Sequence, residues 1–164
     1  MIKLAIRNIR YLGDDILRKK SKEVEVIDDK IRETLDDMIE TMKKYEGIGL
    51  AGPQIGILKK LVVIYVQDIT PEPIKLVNPV IIKRKGTQIA EEGCLSIPNK
   101  FAKVKRPAEV TVEALNENGE SITINAKGIM AIVLCHEIDH LEGVVFTDKM
   151  IPDTLEDGRV DRRK

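Results

Sequence analysis

The segment 128–141 is apolar on almost every side, yet it carries four side chains that can be charged. A helix that is apolar all round belongs in a protein interior, where a polar group without a partner is strongly destabilising. The rest of the chain must therefore pack around this helix and supply partners for its polar groups. Those groups are His136, Glu137, Asp139 and His140.

The two histidines lie four positions apart, so in a helix their imidazoles project from the same face. Both can then bind one metal ion, and Glu137, beside the first of them, can act as a general base. The alternative is that neighbouring side chains satisfy these groups without a metal. The strongly apolar setting of the motif favours the metal. A catalytic site of this kind uses three protein ligands and one open position, so a third ligand is required.

Three positions are candidates for the third ligand. In the long metalloprotease pattern the ligand falls on position 146, but Phe146 cannot bind a metal. Glu156 lies further on, in a charged terminal stretch. Cys94 offers a thiolate, which is a strong ligand for a borderline or soft divalent ion, although a lone cysteine is more often a small buried apolar residue. The residue types alone leave the choice between Glu156 and Cys94 open.

Patterns along the rest of the chain predict an α+β fold. Apolar residues at helical spacing predict a helix over 28–45, and the glycine-rich segment 47–56 is predicted to be a loop. Strands are predicted at 61–66, at 74–83 with an interruption at Asn78-Pro79, and as a hairpin at 108–115 and 122–124. A single domain, 1–164, is expected, and its charged end from about 153 is expected to fray or to form a short surface helix.

The glycine-rich segment also matches Gly-x-Gly-x-x-Gly over 47–52. A dinucleotide site would need a strand before this pattern and a helix after it. Here a helix is predicted to precede it, so a nucleotide site is not expected.

Composition argues against several kinds of partner. Basic and acidic residues are equal at 27 each and aromatic residues make up 3%, so no nucleic-acid site is expected. The longest apolar run, 128–135, is far too short to span a membrane. The first residues show no signal-peptide pattern, so a cytoplasmic location is expected.

Three segments, in this order, resemble the signature motifs of peptide deformylase. They are Gly47-Ile-Gly-Leu-Ala-Gly-Pro-Gln54, Glu92-Gly-Cys-Leu-Ser96 and His136-Glu-Ile-Asp-His140. The resemblance runs from the helix before the first segment to about Asp148. It implies a hydrolase that removes the formyl group from N-terminal formylmethionine of newly made polypeptides and releases formate. It also implies antiparallel sheets packed around a central buried helix that bears the two histidines.

The resemblance implies a metal centre and an acid–base group. Cys94, His136 and His140 would bind one divalent ion, which is Fe(II) in most members and can be replaced by Zn, Ni or Co. Glu137 would be the general acid and base, taking a proton from water and returning it to the leaving amine.

The resemblance also implies the substrate contacts. Gln54 and the backbone N–H of Leu95 would donate to the formyl oxygen, where fixed donors stabilise the developing oxyanion. Ile48 and Gly49 would line the groove and bond the peptide backbone. The methionine side chain needs an apolar pocket, and three apolar residues share the helix face of the first histidine, although ordinary core packing is an equal alternative. They are Ile129, Ile132 and Val133.

The chain departs from the family pattern at three positions. Gly52 stands where alanine is common, which should loosen the loop, and Cys135 replaces a glutamine, which should remove a hydrogen bond near the site. Phe101 lies in a region where an arginine often holds the end of the peptide. Some members dock on the ribosome through a longer basic C-terminal helix, and this short tail of mixed charge leaves that docking open.

Two rival functions are considered beside the deformylase. One is a metallopeptidase, which would cleave an unblocked peptide. The other is a non-catalytic protein that binds a metal or a peptide. Glu137 and Gln54 argue against the second rival, because a binding protein needs neither an acid–base group nor an oxyanion donor.

Overall fold

The computed structural model describes residues 4–158 and has the predicted α+β architecture. The helices in this range are α1 (Asp29–Lys44) and α2 (Ile129–Leu141). The strands are β1 (Gly49–Ala51), β2 (Leu61–Ile64), β3 (Ile74–Lys85), β4 (Gln88–Cys94), β5 (Ile97–Arg106), β6 (Glu109–Leu115), β7 (Ser121–Lys127) and β8 (Glu156–Asp157). Short 3-10 turns lie at Asp15–Arg18, Gly52–Ile55 and Phe146–Asp148.

Helix α1 confirms the helix predicted over 28–45. Asp28 caps it, because its carboxylate accepts a hydrogen bond from the N–H of Ile31 at 3.0 Å. The apolar stripe faces inward, and Met38 and Met42 are fully buried in it. These side chains pack on β2, so α1 covers one face of the sheet to which β2 belongs.

Five strands form one antiparallel sheet in the order β1-β2-β3-β6-β7. The predicted hairpin is confirmed as β6 and β7, with Gly119 at a φ of +78° in the turn between them. The interruption predicted at Asn78-Pro79 does not break β3. The pairing with β6 instead shifts between Val77 and Val80, because a bulge lets a strand continue past a proline.

The glycine-rich segment 47–56 is only partly a loop, so that prediction was wrong for its centre. Gly49 pairs with Ile64 at the edge of the sheet, and a 3-10 turn follows at Gly52–Ile55. Glycine has a low strand propensity, but backbone pairing with the buried β2 outweighs it here. The order helix, strand, turn is also not the strand-to-helix order that a dinucleotide site needs.

A second sheet has the order β4-β5-β8, and the sequence patterns did not predict it. Buried Ala102, Val104 and Arg106 alternate along β5 with exposed residues. Strand β8 pairs Glu156 with Phe101, so this part of the chain end is a strand and not the predicted frayed end or short helix. The remainder of that predicted tail, 159–164, lies outside the described residues.

Helix α2 lies against β1, β2 and β7 and is buried as predicted. Leu134 and Leu141 are buried, as are the polar side chains of His136, Glu137 and His140, whereas Asp139 is half-buried. No helix within residues 4–158 is long and apolar enough to cross a membrane.

Gly52 is enclosed by backbone from the segment that follows it. A Cβ atom at this position would lie 2.6 Å from the carbonyl oxygen of Ile57 and 2.7 Å from that of Lys59. Gly52 therefore has a role in packing, in addition to the greater loop flexibility expected from the sequence. A glycine here lets 57–59 approach the turn that carries Gln54.

We expect Gly52→Ala to lower the free energy of unfolding by about 1–3 kcal/mol, because the new methyl group would be forced against two backbone carbonyls. Gly93→Ala is the matched control, since its Cβ would meet the exposed ring of Phe101, which can turn away. Urea unfolding followed by circular dichroism measures both losses. A loss for Gly52→Ala no larger than for Gly93→Ala contradicts the packing role.

Candidate metal centre

The structure brings together the cysteine at the end of β4 and the two histidines of α2. One ligand atom from each of Cys94, His136 and His140 lies within 4.8 Å of the other two. The Sγ atom of Cys94 is 3.4 Å from Nε2 of His140. Tetrahedral bonds to sulfur and nitrogen would separate these two ligand atoms by about 3.6 Å. The distances and the thiol–imidazole donor set therefore fit a divalent metal ion.

The other candidates for the third ligand lie apart from this cluster. Glu156 is exposed on β8, and the only such ligand cluster found among residues 4–158 does not include it. Phe146 lies beside the centre, where its ring stacks on His136 with the two ring centres 6.0 Å apart. The phenylalanine thus packs on a ligand instead of being one.

A buried carboxylate orients His136. Nδ1 of His136 lies 2.9 Å from Oε1 of Glu92. Because this bond occupies Nδ1, the other ring nitrogen, Nε2, is available as a metal ligand on the side where Cys94 lies. Arg106 in turn donates to both oxygens of Glu92, from Nε and Nη2, at 2.9 Å each. Burial alone would raise the pKa of Glu92, but the bonds from Arg106 and His136 lower it overall. Glu92 is therefore a carboxylate that fixes the imidazole.

Arg106 also connects the centre to the surface. Its Nη1 donates to Oδ2 of Asp139 at 2.6 Å, and Nζ of Lys149 donates to Oδ1 of the same carboxylate at 3.1 Å. Asp139 thus has two cationic partners, as expected for a carboxylate on an apolar helix. The sequence prediction missed Arg106, although its position in phase with buried Ala102 and Val104 on β5 was a usable signal.

The two imidazoles differ in their affinity for a proton. Burial disfavours the charged form of His136, but the charge of Glu137 and the bonds with Cys94 and Glu92 raise its pKa well above the usual value. Burial and the charge of His136 lower the pKa of His140 well below it. A metal ion would compete with a proton for His136, because only a neutral imidazole is a ligand.

Glu137 lies where β1 passes α2. A Cβ on Gly49 would come within 2.6 Å of Oε2 of Glu137, so the strand can pass the carboxyl group only with a glycine at this position. Oε2 is 4.0 Å from Nε2 of His136, and Oε1 is buried with no hydrogen-bond partner in the described part of the chain. Burial raises the pKa of Glu137 to about 7, a value that suits a group exchanging protons near neutral pH.

Gln54 points its amide group at the ligand cluster. Its Nε2 is 3.5 Å from Sγ of Cys94 and donates to Oγ of Ser96 at 3.1 Å. Its Oε1 accepts from the N–H of Ala51 at 3.0 Å, which fixes the orientation of the amide. Leu95 follows the cysteine ligand directly, so its backbone N–H and the Gln54 amide lie close to the same ligand.

The edge strand β1 presents backbone groups beside the centre. The carbonyl of Ile48 accepts from the N–H of Tyr65 at 2.9 Å. Because hydrogen-bonded positions alternate along an antiparallel pair, the N–H and C=O of Gly49 point away from β2, toward the outer side of β1. The side chain of Ile48 is 44% exposed.

The three residues proposed for an apolar pocket occupy different surroundings. Val133 is buried in the main core, Ile132 is half-buried, and Ile129 at the start of α2 is 42% exposed. All three lie on the turns before His136, as the spacing predicts. Val133 therefore fits the core alternative, while Ile129 has a free surface.

The two remaining departures from the family pattern lie outside the ligand cluster. Cys135 is buried in the core between α2 and the larger sheet, and burial raises the pKa of its thiol. Phe101 packs over Gly93 and Gly158 on the outer face of the smaller sheet.

Comparisons with known proteins agree on one family. The model of the polypeptide deformylase family matches residues 6–156. The chain is 59% identical over 146 residues to peptide deformylase 2 of Clostridium acetobutylicum, covering 88% of this chain and 95% of that protein. It is 55% identical over 161 residues to the peptide deformylase of Acetivibrio thermocellus, covering 98% and 92%. The crystal structure of a peptide deformylase from Legionella pneumophila superimposes with a TM-score of 0.87 at 43% identity, covering 90% of this chain and 88% of that one.

We expect Arg106→Met to lower the free energy of unfolding by about 3–5 kcal/mol, because it leaves the buried charge of Glu92 unpaired. Arg18→Met is the matched control, since the pair of Arg18 and Asp148 is largely solvent-exposed and should contribute at most about 1 kcal/mol. Urea unfolding in the presence of a chelator measures both variants without a metal contribution. Equal losses in the two variants would contradict a supporting role for Arg106.

Proposed function

The chain belongs to the polypeptide deformylase family, and from this premise we propose that Cys94, His136 and His140 hold one divalent metal ion at its active site. The enzyme is a hydrolase that removes the formyl group from the N-terminal methionine of polypeptides. The observation that carries the proposal is the convergence of one thiol and two imidazoles within 4.8 Å beside a buried glutamate.

Glu137 is the acid–base group of the proposed reaction. A divalent ion at the three ligands would lower the pKa of a coordinated water and polarise the formyl carbonyl. Glu137 takes a proton from the attacking water and delivers it to the amine nitrogen as the formyl C–N bond breaks. The products are formate and a free N-terminal amine. The unpartnered Oε1 of Glu137 supports this role, because a buried polar atom without a protein partner is suited to bond substrate or water.

Gln54 and the Leu95 N–H form the proposed oxyanion hole. Attack on the formyl carbon moves negative charge to its oxygen, and donors fixed in advance stabilise that charge with little reorganisation. The bond from Ala51 to Oε1 holds the Gln54 amide with its NH₂ group on the side of Cys94. The Leu95 N–H follows the same cysteine in the chain. Both donors are therefore positioned before substrate arrives.

The substrate peptide is proposed to extend the larger sheet at β1. The outward N–H and C=O of Gly49 can pair with an extended peptide backbone, as in other cases of strand addition. Ile48 would line the groove with its exposed side chain. Of the three residues expected to form the apolar pocket for the methionine side chain, Ile129 and Ile132 stay in the proposal, and Val133 is assigned to the core.

Several finer points extend the proposal. We expect Fe(II) to be the metal in the cell, although a Cys/His/His donor set also suits Zn, Ni or Co. The substrates would be nascent N-formylmethionyl chains in the cytoplasm. The proposal includes no nucleic-acid site and no membrane contact.

We expect Glu137→Gln to lower kcat for formate release from a formyl-Met peptide by about 10²–10⁴-fold, because the amide cannot accept the proton of water. The assay uses protein loaded anaerobically with Fe(II), and the metal content of each sample is measured in parallel. Glu142→Gln, on the exposed end of the same helix, is the control and should keep full activity. Undiminished activity of metal-loaded Glu137→Gln would overturn the assignment.

We expect Cys94→Ser to lose most of its metal on dialysis against a weak chelator, because a hydroxyl is a far poorer ligand than a thiolate. Cys135→Ala removes the other cysteine and should retain the metal, since Cys135 lies outside the ligand cluster. Elemental analysis after dialysis gives the result. Equal retention by both variants would show that Cys94 is not a ligand. Cleavage of an unblocked peptide without formate release would favour the metallopeptidase instead.

A further inference from the structure

The N-terminal segment touches both parts of the proposed oxyanion hole. The backbone N–H of Arg10 donates to the carbonyl of Gln54 at 2.7 Å, and the N–H of Leu12 donates to the carbonyl of Ser96 at 2.8 Å. Ser96 is fully buried and directly follows Leu95. One short piece of chain thus bonds the turn after β1 and the turn after β4.

The hydrogen bonds of the N-terminal segment belong to a closed network that includes both turns. The amide of Gln54 donates to the hydroxyl of Ser96 at 3.1 Å, which joins the two turns directly. Arg10 and Leu12 join the same two turns through their main chains. Ile9 anchors the segment, because it is buried in the same apolar cluster as Ile55 of the first turn. The separation of the two turns is therefore fixed on both sides.

We propose that the backbone N–H of Leu12 is a positioning group for catalysis, holding the Ser96 turn so that the Leu95 N–H and the Gln54 amide stay at the spacing that the oxyanion requires. The inference rests on the proposed roles of Gln54 and Leu95. Leu12 itself does not touch the substrate in this scheme. Its contribution comes from geometry, since small misplacements of reacting groups lower rates strongly.

The local backbone permits a proline at position 12. The N–H of Asp14 donates to the carbonyl of Tyr11 at 3.0 Å, and Gly13 has a φ of +109°. This pattern is that of a type II turn with Leu12 at its second position, where proline is favoured. Leu12→Pro should therefore preserve the turn, remove the N–H that bonds Ser96, and displace the Ser96 carbonyl with the ring carbon that takes the place of the amide hydrogen.

The experiment compares Leu12→Pro with Leu12→Ala, which shortens the side chain but keeps the N–H. We expect Leu12→Pro to lower kcat about tenfold with KM changed less than about twofold, and Leu12→Ala to stay within about twofold in both. Rates are expressed per metal-loaded, folded molecule, as measured by elemental analysis and circular dichroism. An ester in place of the Leu12 peptide bond removes the same N–H without adding a ring carbon and should lower kcat as well, with the Tyr11 ester as its control. An unchanged kcat in the Leu12 ester would overturn the positioning role.

Gln54→Ala separates this inference from the proposed function. We expect it to lower kcat about 10²–10³-fold, and undiminished activity would overturn the oxyanion role of Gln54 itself. If Gln54→Ala has this effect while Leu12→Pro behaves like Leu12→Ala, only the positioning role fails. In the double variant that combines Leu12→Pro with Gln54→Ala, Leu12→Pro should lower kcat by a smaller factor than it does alone. The reason is that one of the two donors it positions, the Gln54 amide, is already missing. A double variant whose losses multiply fully would overturn the positioning role.

Discussion

The bidentate pair of Arg106 and Glu92 is the interaction on which the centre depends. Helix α2 buries two imidazoles and the carboxyl group of Glu137 in an apolar interior and half-buries that of Asp139. Such burial is favourable only if partners meet the charges. Arg106 pairs with two carboxylates at once, that of Glu92 on β4 and that of Asp139 on α2. Through Glu92 it also sets the direction of His136. The same guanidinium thus neutralises carboxylates in the interior and, through Glu92, orients a proposed metal ligand.

Each sheet contributes a different part of the site, and α2 lies between the parts. The smaller sheet supplies Cys94 and Glu92 from β4, and the larger sheet supplies Gly49 from its edge strand. The turn that follows that strand supplies Gln54. The histidines and Glu137 come from α2, so the site forms only where the two sheets meet this helix. The glycines of the first motif allow this approach, since a side chain at Gly49 would collide with Glu137.

The sequence predicted those features that depend on local chemistry. The shared helix face of His136 and His140 and the presence of α1 follow from helical spacing alone, and the hairpin of β6 and β7 follows from alternation around a turn. Cys94 could be chosen over Glu156 only through the family resemblance, because ligand spacing across separate elements carries no local signal. The sequence patterns did not predict β1, β4, β5 and β8. These strands form through pairing with other strands, and local propensity gave little sign of them. The single-domain organisation over 1–164 stays a prediction.

The proposed function requires that Cys94, His136 and His140 bind one metal and leave a position for water. X-ray absorption at the metal edge of the anaerobically loaded enzyme tests it most directly. We expect one sulfur at about 2.3 Å, two imidazole nitrogens at about 2.0–2.1 Å and at least one further light ligand that exchanges with added formate. A first shell without sulfur, or one filled by four protein ligands that formate does not alter, would contradict it.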